Sequence, residues 1–146
     1  YRAAQRALPE DLEALHRPVK DMDANIKDRA AYIRADDAFH LGLAVATQNA
    51  YLPRLLESIV DVLHEHRSRI FDTPGGPARG QVHHKRILRA VEDGAPEAAR
   101  EAMRGHLAQI RQDSKQGGAA AASRAEYERV EAPRTRRQAS AHGMED

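Results

Sequence analysis

The stretch DDAFH, residues 36–40, places ionisable side chains on the apolar side of a predicted helix. At 3.6 residues per turn, the inward side of this helix is marked by a stripe of six residues: Tyr32, Ile33, Phe39, Leu43, Ala46 and Thr47. Asp36 and His40 fall within that stripe, one turn apart. A buried carboxylate is costly unless it is paired or bound to a cation. Because side chains four residues apart on a helix lie one above the other, the pair suits a shared metal ion.

Two later histidines also lie on apolar stripes. His84 precedes Ile87, Leu88 and Val91, and His106 precedes Ile110 and follows Ala99, Ala102 and Met103. We expect both imidazoles to point inward. With Asp36 and His40 they would form one carboxylate and three imidazoles from three helices, a set suited to a divalent ion such as zinc, nickel or manganese. The alternative is a buried hydrogen-bond network of the same side chains without an ion.

Arg67 shares one face of the next helix with four apolar residues: Leu56, Val60, Leu63 and Ile70. A guanidinium near a metal cavity could bind a carboxylate with two parallel hydrogen bonds. The alternative interpretation is a snorkelling side chain at the end of the bundle, or a salt bridge to an Asp or Glu. Arg69 and His64 are weaker candidates for the same role. The remaining histidines are predicted at the surface: His16, His64, His66, His83 and His142.

Helical periodicity accounts for most of the chain, and no run alternates with the period of a strand. The first predicted helix covers 1–8, and the second opens at Pro9 and is kinked at Pro18. The third covers 28–48, and the fourth starts at Asn49 and continues to Ile70. The fifth and sixth cover 81–92 and 96–115, and a further short helix is predicted at 119–130. The Gly- and Pro-rich segment 72–80 is the clearest break. The prediction is an all-α antiparallel bundle of about six to seven helices. Residues 1–115 should form one domain, and 116–146 a tail whose last fifteen residues are disordered.

The composition excludes several classes of site. The formal net charge is +1, from 23 basic and 22 acidic side chains, so there is no global electrostatic case for binding nucleic acid or an anionic membrane. Cysteine is absent, which excludes disulfides and thiolate metal sites. No apolar run approaches the roughly 18 to 20 residues that cross a bilayer, and no signal-peptide pattern is found. We therefore expect a soluble, cytoplasmic chain.

Four pieces of sequence are similar to a known family when they are taken together. They are AQRALPEDL at 4–12; Asp36-x-x-Phe39-His40 followed by Leu43 and Asn49; His84-x-x-Ile87-Leu88-x-Ala90-Val91-x-Asp93-Gly94; and Ala98-x-x-x-Ala102-Met103-x-x-His106-Leu107. The chain resembles, over about residues 1–112, the FCD domain, which is the C-terminal effector-binding domain of FadR-type GntR transcriptional regulators. Each piece alone is weak, and their joint spacing is quite specific.

The resemblance implies a metal site and a function. In many family members an Asp, the His four residues later and two later histidines bind one divalent metal, and the matching positions here are Asp36, His40, His84 and His106. The family resemblance further implies a homodimer that binds a small organic acid at or beside the metal, with Arg67 and Asn49 as expected effector-binding residues. We expect the bound ion to be zinc, with nickel or manganese as alternatives.

Effector binding should change the DNA affinity of an attached winged-helix domain. That domain, and most of the first helix of the sensor domain, are absent from this chain, so we do not expect it to bind operator DNA by itself. His83 stands where an acidic residue is common in the family, and the tail from Gly117 has no clear counterpart.

Two other function classes remain open from the sequence. A metal-dependent hydrolase on the helical bundle would need a general base near the ion, and none is assignable, because Asp37 lies about 100° from Asp36 around the helix. A purely structural bundle would use the same polar residues without an ion. The expected function is the sensor domain, which is not an enzyme.

Overall fold

The computed structural model describes the backbone of residues 1–131 and the side chains of residues 1–115 except residue 61. The described backbone contains seven α-helices and no strand, which confirms the all-α class and the helical bundle. The helices are α1 (Arg2–Arg6), α2 (Pro9–Ala24), α3 (Arg29–Val45), α4 (Tyr51–Ser58), α5 (Val60–Phe71), α6 (Gly76–Glu92) and α7 (Pro96–Glu131). No described helix is long and apolar enough to span a membrane.

Local sequence explains where several helices begin. The side chain of Asp28 caps α3, because its Oδ1 accepts the backbone N–H of Ala31 at 3.0 Å. At the start of α2, Pro9 occupies the first turn, and Asp11 Oδ2 accepts the backbone N–H of Leu8 at 2.9 Å. Pro96 opens α7 in the same way. These three predicted starts agree with the structure.

The predicted fourth helix is wrong as a single unit. It is divided into α4 and α5 at Ile59, whose ψ of 9° leaves the helical range. The hydroxyl of Ser58 donates to the carbonyl of Leu55 at 2.7 Å, a side-chain bond that competes with the helical backbone bonds. Both α4 and α5 pack against α3, and both of them line the cavity described below.

The break at 72–80 is shorter than predicted, because α6 begins at Gly76 and not at Gln81. The connection is four residues long, and it ends at Gly75, whose φ of +72° is a left-handed conformation that glycine adopts without steric cost. The predicted end at Lys115 is also wrong, since α7 continues through Gly117 and Gly118 to Glu131. Two helical glycines cost about 1 kcal/mol each, and the alanines at 119–122 favour the helix. Residues 132–146, predicted to be disordered, lie outside the described residues.

The core forms where α2, α3, α6 and α7 meet. Its largest fully buried apolar side chains are Leu15, Met22, Ile33, Phe39 and Ile87. Gly42 lets α2 approach α3 closely, since a Cβ there would lie 3.0 Å from the Cδ2 of Leu15. The predicted inward stripe of α3 is therefore confirmed. As a consequence α3 presents Asp36 and His40 at the edge of the core, facing α6 and α7.

Candidate metal centre and adjoining cavity

Three imidazoles meet between the helices. His40 on α3, His84 on α6 and His106 on α7 each offer a ring nitrogen, and these nitrogens all lie within 4.8 Å of one another. The ring centroids of His84 and His106 are 4.6 Å apart, and that of His40 lies 5.3 Å from His106. The structure thus brings together three of the four predicted ligands, and the ligand-bearing helices are the three that the sequence indicated.

Several polar atoms of this cluster lack hydrogen-bond partners among the described residues. His84 Nε2 and both ring nitrogens of His106 are buried and unpartnered. Buried polar groups are nearly always hydrogen-bonded, so three orphaned nitrogens in one place need an explanation. A divalent ion held by neutral imidazoles would provide it, and the donor set fits zinc.

Asp36 lies beside the imidazoles. Its Oδ1 is 3.1 Å from His84 Nε2, though without the direction of a hydrogen bond, and 3.8 Å from His40 Nε2. Burial raises the pKa of Asp36, but His40, His84 and Arg67 together lower it by more, so the net pKa falls below the usual range. Asp36 is therefore a carboxylate at neutral pH. It lies beside His84 and His40, and its role as a fourth ligand stays a prediction.

Two of the imidazoles are neutral at pH 7. Burial lowers the pKa of His40 to about 4, and burial with the neighbouring His84 and His40 lowers the pKa of His106 to about 3. Metal binding needs an unprotonated ring nitrogen. The same burial that would make a charged imidazole costly therefore keeps these rings in the form that binds a metal.

Gln81 determines which ring nitrogen of His84, the third imidazole, is protonated. Its Nε2 donates to the carbonyl of Val19 at 2.7 Å, and its Oε1 lies 3.3 Å from His84 Nδ1. Because a carbonyl oxygen only accepts, the amide orientation is determined, and His84 Nδ1 must be the protonated nitrogen. In the neutral form of the ring the lone pair is then on Nε2, the nitrogen nearest to Asp36. The sequence analysis missed Gln81, although it lies one turn before His84 on the same stripe.

Arg67 connects α5 to α3. Its Nε pairs with Asp36 and its Nη1 with Asp37, so the salt-bridge interpretation of this residue is the one that the structure contains. Arg67 also lines the cavity next to the imidazoles. Burial raises the pKa of Asp37, against the opposing effect of Arg67. Arg69, the weaker candidate, is exposed and pairs with Glu65.

A cavity of about 440 Å³ adjoins the cluster. Its volume is within the range of roughly 300–1,000 Å³ that is common for small-molecule sites. Asp36, Arg67 and the three histidines form one end, and α4 and α5 cover it with Leu56, Leu63 and Ile70. The opposite end contains Asp113, whose Oδ1 accepts from Arg79 Nη2 at 2.6 Å and from Gln109 Nε2 at 3.0 Å.

Two histidines differ from their predicted positions, and one predicted effector residue is exposed. Asn49 is exposed and is not among the residues that line this cavity, and its Oδ1 accepts the backbone N–H of Tyr51 at 3.0 Å, so effector binding by Asn49 stays a prediction. The surface positions predicted for His66 and His83 are wrong. His66 lines the cavity, and the half-buried ring of His83 lies 5.9 Å from that of His106. His16 and His64 are exposed as predicted, and His142 lies outside the described residues.

The sequence model of the FCD domain family matches residues 1–109. The chain belongs to the FCD domain family. This FCD domain is also 32% identical, over 113 residues, to the HTH-type transcriptional regulator LutR of Bacillus subtilis (strain 168), an alignment that covers 74% of the chain and 52% of LutR. The chain thus spans about half the length of this curated relative. The resemblance to the FCD domain of GntR-family regulators is confirmed, and membership supports a ligand-sensing regulatory domain.

Proposed function

We propose that this FCD domain is the metal-dependent effector sensor of a GntR-family regulator, with residues 1–115 as the sensing and dimerising unit and 116–146 as a tail. The observation that carries the proposal is a cluster of three imidazoles that lines a cavity, in which His84 and His106 are buried and carry unpartnered ring nitrogens. A bound divalent ion would satisfy the ring nitrogens that have no partner among the described residues.

The proposed ligands are Asp36, His40, His84 and His106, with zinc as the first candidate ion and nickel or manganese as alternatives. When bound, the ion would offer open coordination positions to the carboxylate of a small organic acid in the cavity. The protein prepares the imidazoles for metal binding, because Gln81 orients His84 and burial keeps His40 and His106 unprotonated.

Arg67 is proposed to couple the effector to a change of helix position. Its guanidinium holds α5 against α3 through Asp36 and Asp37. An incoming carboxylate competes for the same guanidinium and would weaken that link. An effector shifts a conformational equilibrium only when it binds one arrangement better than the other, and the exchange of partners at Arg67 supplies such a difference.

The proposed partners are a second copy of the chain, an organic acid and, through a winged-helix domain, operator DNA. We place the whole regulator in the cytoplasm. The homodimer surface is assigned to the outer face of α4 and α5, where Tyr51, Leu55 and Val62 are 80%, 62% and 71% exposed. Adjacent exposed apolar side chains of this size mark interaction surfaces.

Membership in a family of regulator domains favours a binding domain over the metal-dependent hydrolase. The geometry favours it also. The two described carboxylates that line the cavity, Asp36 and Asp113, are each held in an ion pair with an arginine. The ion pairs engage both carboxylates, which makes either one a poor general base.

The first test is the metal content per chain, measured by elemental analysis on protein purified without chelator or a nickel column. We expect about one ion per chain, lost in His84→Ala and in His106→Ala and kept in His16→Ala, whose exposed imidazole pairs with Glu92 outside the cluster. Native protein without metal, whose thermal stability does not respond to added zinc, would refute the metal-dependent sensor.

The regulatory step needs the full-length regulator. Operator affinity and solution scattering of the dimer should both change when an effector acid is added to the metal-loaded protein. Equal affinity and equal scattering with and without an acid that demonstrably binds would contradict the coupling through Arg67.

A further inference from the structure

The cavity extends well beyond the imidazoles. From His106 it follows α7 past Ile110 to Asp113, seven residues or about two turns, which is about 10 Å at 1.5 Å per residue. Along α6 it runs an equal distance from His84 to Pro77. The space is therefore elongated, with the candidate metal centre toward one end, where Leu43 and Met103 line it about one turn beyond the imidazoles.

The walls of this elongated space are mostly apolar. Ile33 from α3, Leu63, Ile70 and Phe71 from α5, and Ile110 from α7 face it. Gly80 keeps it open beside His84, because a Cβ there would lie 3.3 Å from the hydroxyl of Tyr32. An apolar surface of this kind binds hydrocarbon and offers nothing to the hydroxyl groups of a polar acid.

Three polar side chains that line the far part of the cavity have partners. Asp113 accepts from Arg79 and Gln109, and the hydroxyl of Tyr32 donates to the carbonyl of Pro77 at 3.0 Å. Arg79 Nε has no partner among the described residues, but Arg79 does not line the cavity. These three lining groups therefore do not require a polar group of the ligand. At the near end, in contrast, unpartnered ring nitrogens and a guanidinium lie together.

The volume also argues against a very small ligand. A cavity of 440 Å³ has room for roughly fifteen groups of the size of a water molecule, at about 30 Å³ each. Acetate or a short hydroxy acid at the metal would fill the near end only, and leave the apolar part to water or empty. Both arrangements have a higher free energy than a complex in which the apolar chain of the ligand fills the space.

We propose that the effector is a medium-length monocarboxylic acid with an unbranched apolar tail, bound with its carboxylate at the histidine cluster and its tail along α7 toward Asp113. This inference rests on the proposed function, since it names the class of acid that the same site binds. The tail contributes affinity by burial, and the carboxylate sets the orientation.

The test is titration calorimetry of the zinc-loaded protein with acetate, butanoate, hexanoate and octanoate, and with octan-1-ol as a tail without a carboxylate. We expect affinity to rise about fourfold with each methylene that becomes buried, which makes octanoate the tightest of the series. Octan-1-ol should bind at least about tenfold more weakly than octanoate, and chelation should weaken octanoate binding.

A pair of variants locates the tail. Ile110→Phe narrows the apolar part and leaves the histidines in place, so octanoate affinity should fall at least about tenfold while acetate affinity is unchanged. Val82→Phe is the matched control, because Val82 is half-exposed on α6 and does not line the cavity, and it should change neither affinity.

The outcomes separate the two proposals. If acetate binds in a zinc-dependent way and as tightly as octanoate, the apolar-tail inference is overturned and the sensor function stands. If octan-1-ol matches octanoate, or if chelation leaves octanoate binding unchanged, the placement of the carboxylate at the cluster is overturned. If no acid of any length binds the zinc-loaded protein, the proposed function fails and this inference fails with it.

Discussion

At the scale of single residues, Gln81 decides which nitrogen of His84 carries the lone pair. We predict that Gln81→Leu weakens zinc binding about 10- to 100-fold, which is the usual cost of removing a partner that orients a metal ligand. Competition with a chromogenic chelator measures this. Gln5→Leu, at an exposed position on α1, is the control. Unchanged zinc affinity in Gln81→Leu would show that the bond to His84 does not matter for the metal.

The neutral state of His40 and His106 predicts how the metal-free protein responds to acid. Their folded-state pKa values are lowered to about 4 and about 3 from 6.5, so between pH 6.5 and 4 the unfolded chain binds more protons than the folded one. Stability therefore rises with pH across that window and is lost as the pH falls through it. The lowered pKa of Asp36 acts in the same direction at lower pH, and the raised pKa of Asp37 opposes it.

Urea unfolding of chelator-treated protein at pH 7, 5.5 and 4.5 measures this dependence. The free energy of unfolding should fall toward pH 4.5, and the slope should be smaller in the double variant His40→Asn with His106→Asn. An equal slope in the native chain and the double variant would assign the acid response to other groups.

The direction in which individual side chains face was predictable from the sequence. Asp36, His40, His84 and His106 were predicted to face inward, and the structure confirms that they do. Apolar periodicity predicts a facing direction because that direction depends only on helix geometry. The pairing of Arg67 with Asp36 and Asp37, and of Arg79 with Asp113, joins different helices, so periodicity cannot indicate it.

At the scale of elements, the turn between α5 and α6 contains a very close backbone contact. A Cβ on Gly76 would lie 2.3 Å from the backbone carbonyl oxygen of Ile70, so the turn must move to accept a side chain. We predict that Gly76→Ala lowers the free energy of unfolding by about 1–3 kcal/mol.

The control for this turn is Gly105→Ala in α7, where a Cβ would make ordinary contacts at 3.4 Å and beyond. That change should be neutral or stabilising by up to about 1 kcal/mol, because alanine favours a helix. Both variants are compared by urea unfolding of the metal-free protein. Equal stability of the two variants would contradict the proposed clash at Ile70.

Helix boundaries at this scale were only partly predictable. Starts at Asp28, Pro9 and Pro96 agree with the structure, because caps and prolines act within one turn. The division at Ile59 has no strong sequence signal, since Ser58 and Ile59 are both compatible with a helix interior. The early start of α6 depends on a close approach of Gly76 to the end of α5, which is a tertiary contact.

At the scale of the whole molecule, the outer face of α4 and α5 forms the proposed dimer interface. We predict that Leu55→Glu combined with Val62→Glu converts the dimer to a monomer, because charged groups cannot be buried in an interface without partners. Sedimentation velocity measures the change, and Val82→Glu, at an exposed apolar position on α6, is the control. A double variant that remains a dimer would place the interface elsewhere.

The sequence alone determined the all-α class, the family and the inward direction of the four candidate metal ligands. These properties follow from local spacing: 3.6-residue periodicity, caps and a set of motifs over residues 1–109. Only the tertiary structure decided that the imidazoles of three helices converge, that Gln81 holds His84, and that an elongated apolar cavity opens beside them. The physical reason is that periodicity states which side of a helix is buried, whereas the partner and the space between helices depend on how residues far apart in sequence pack.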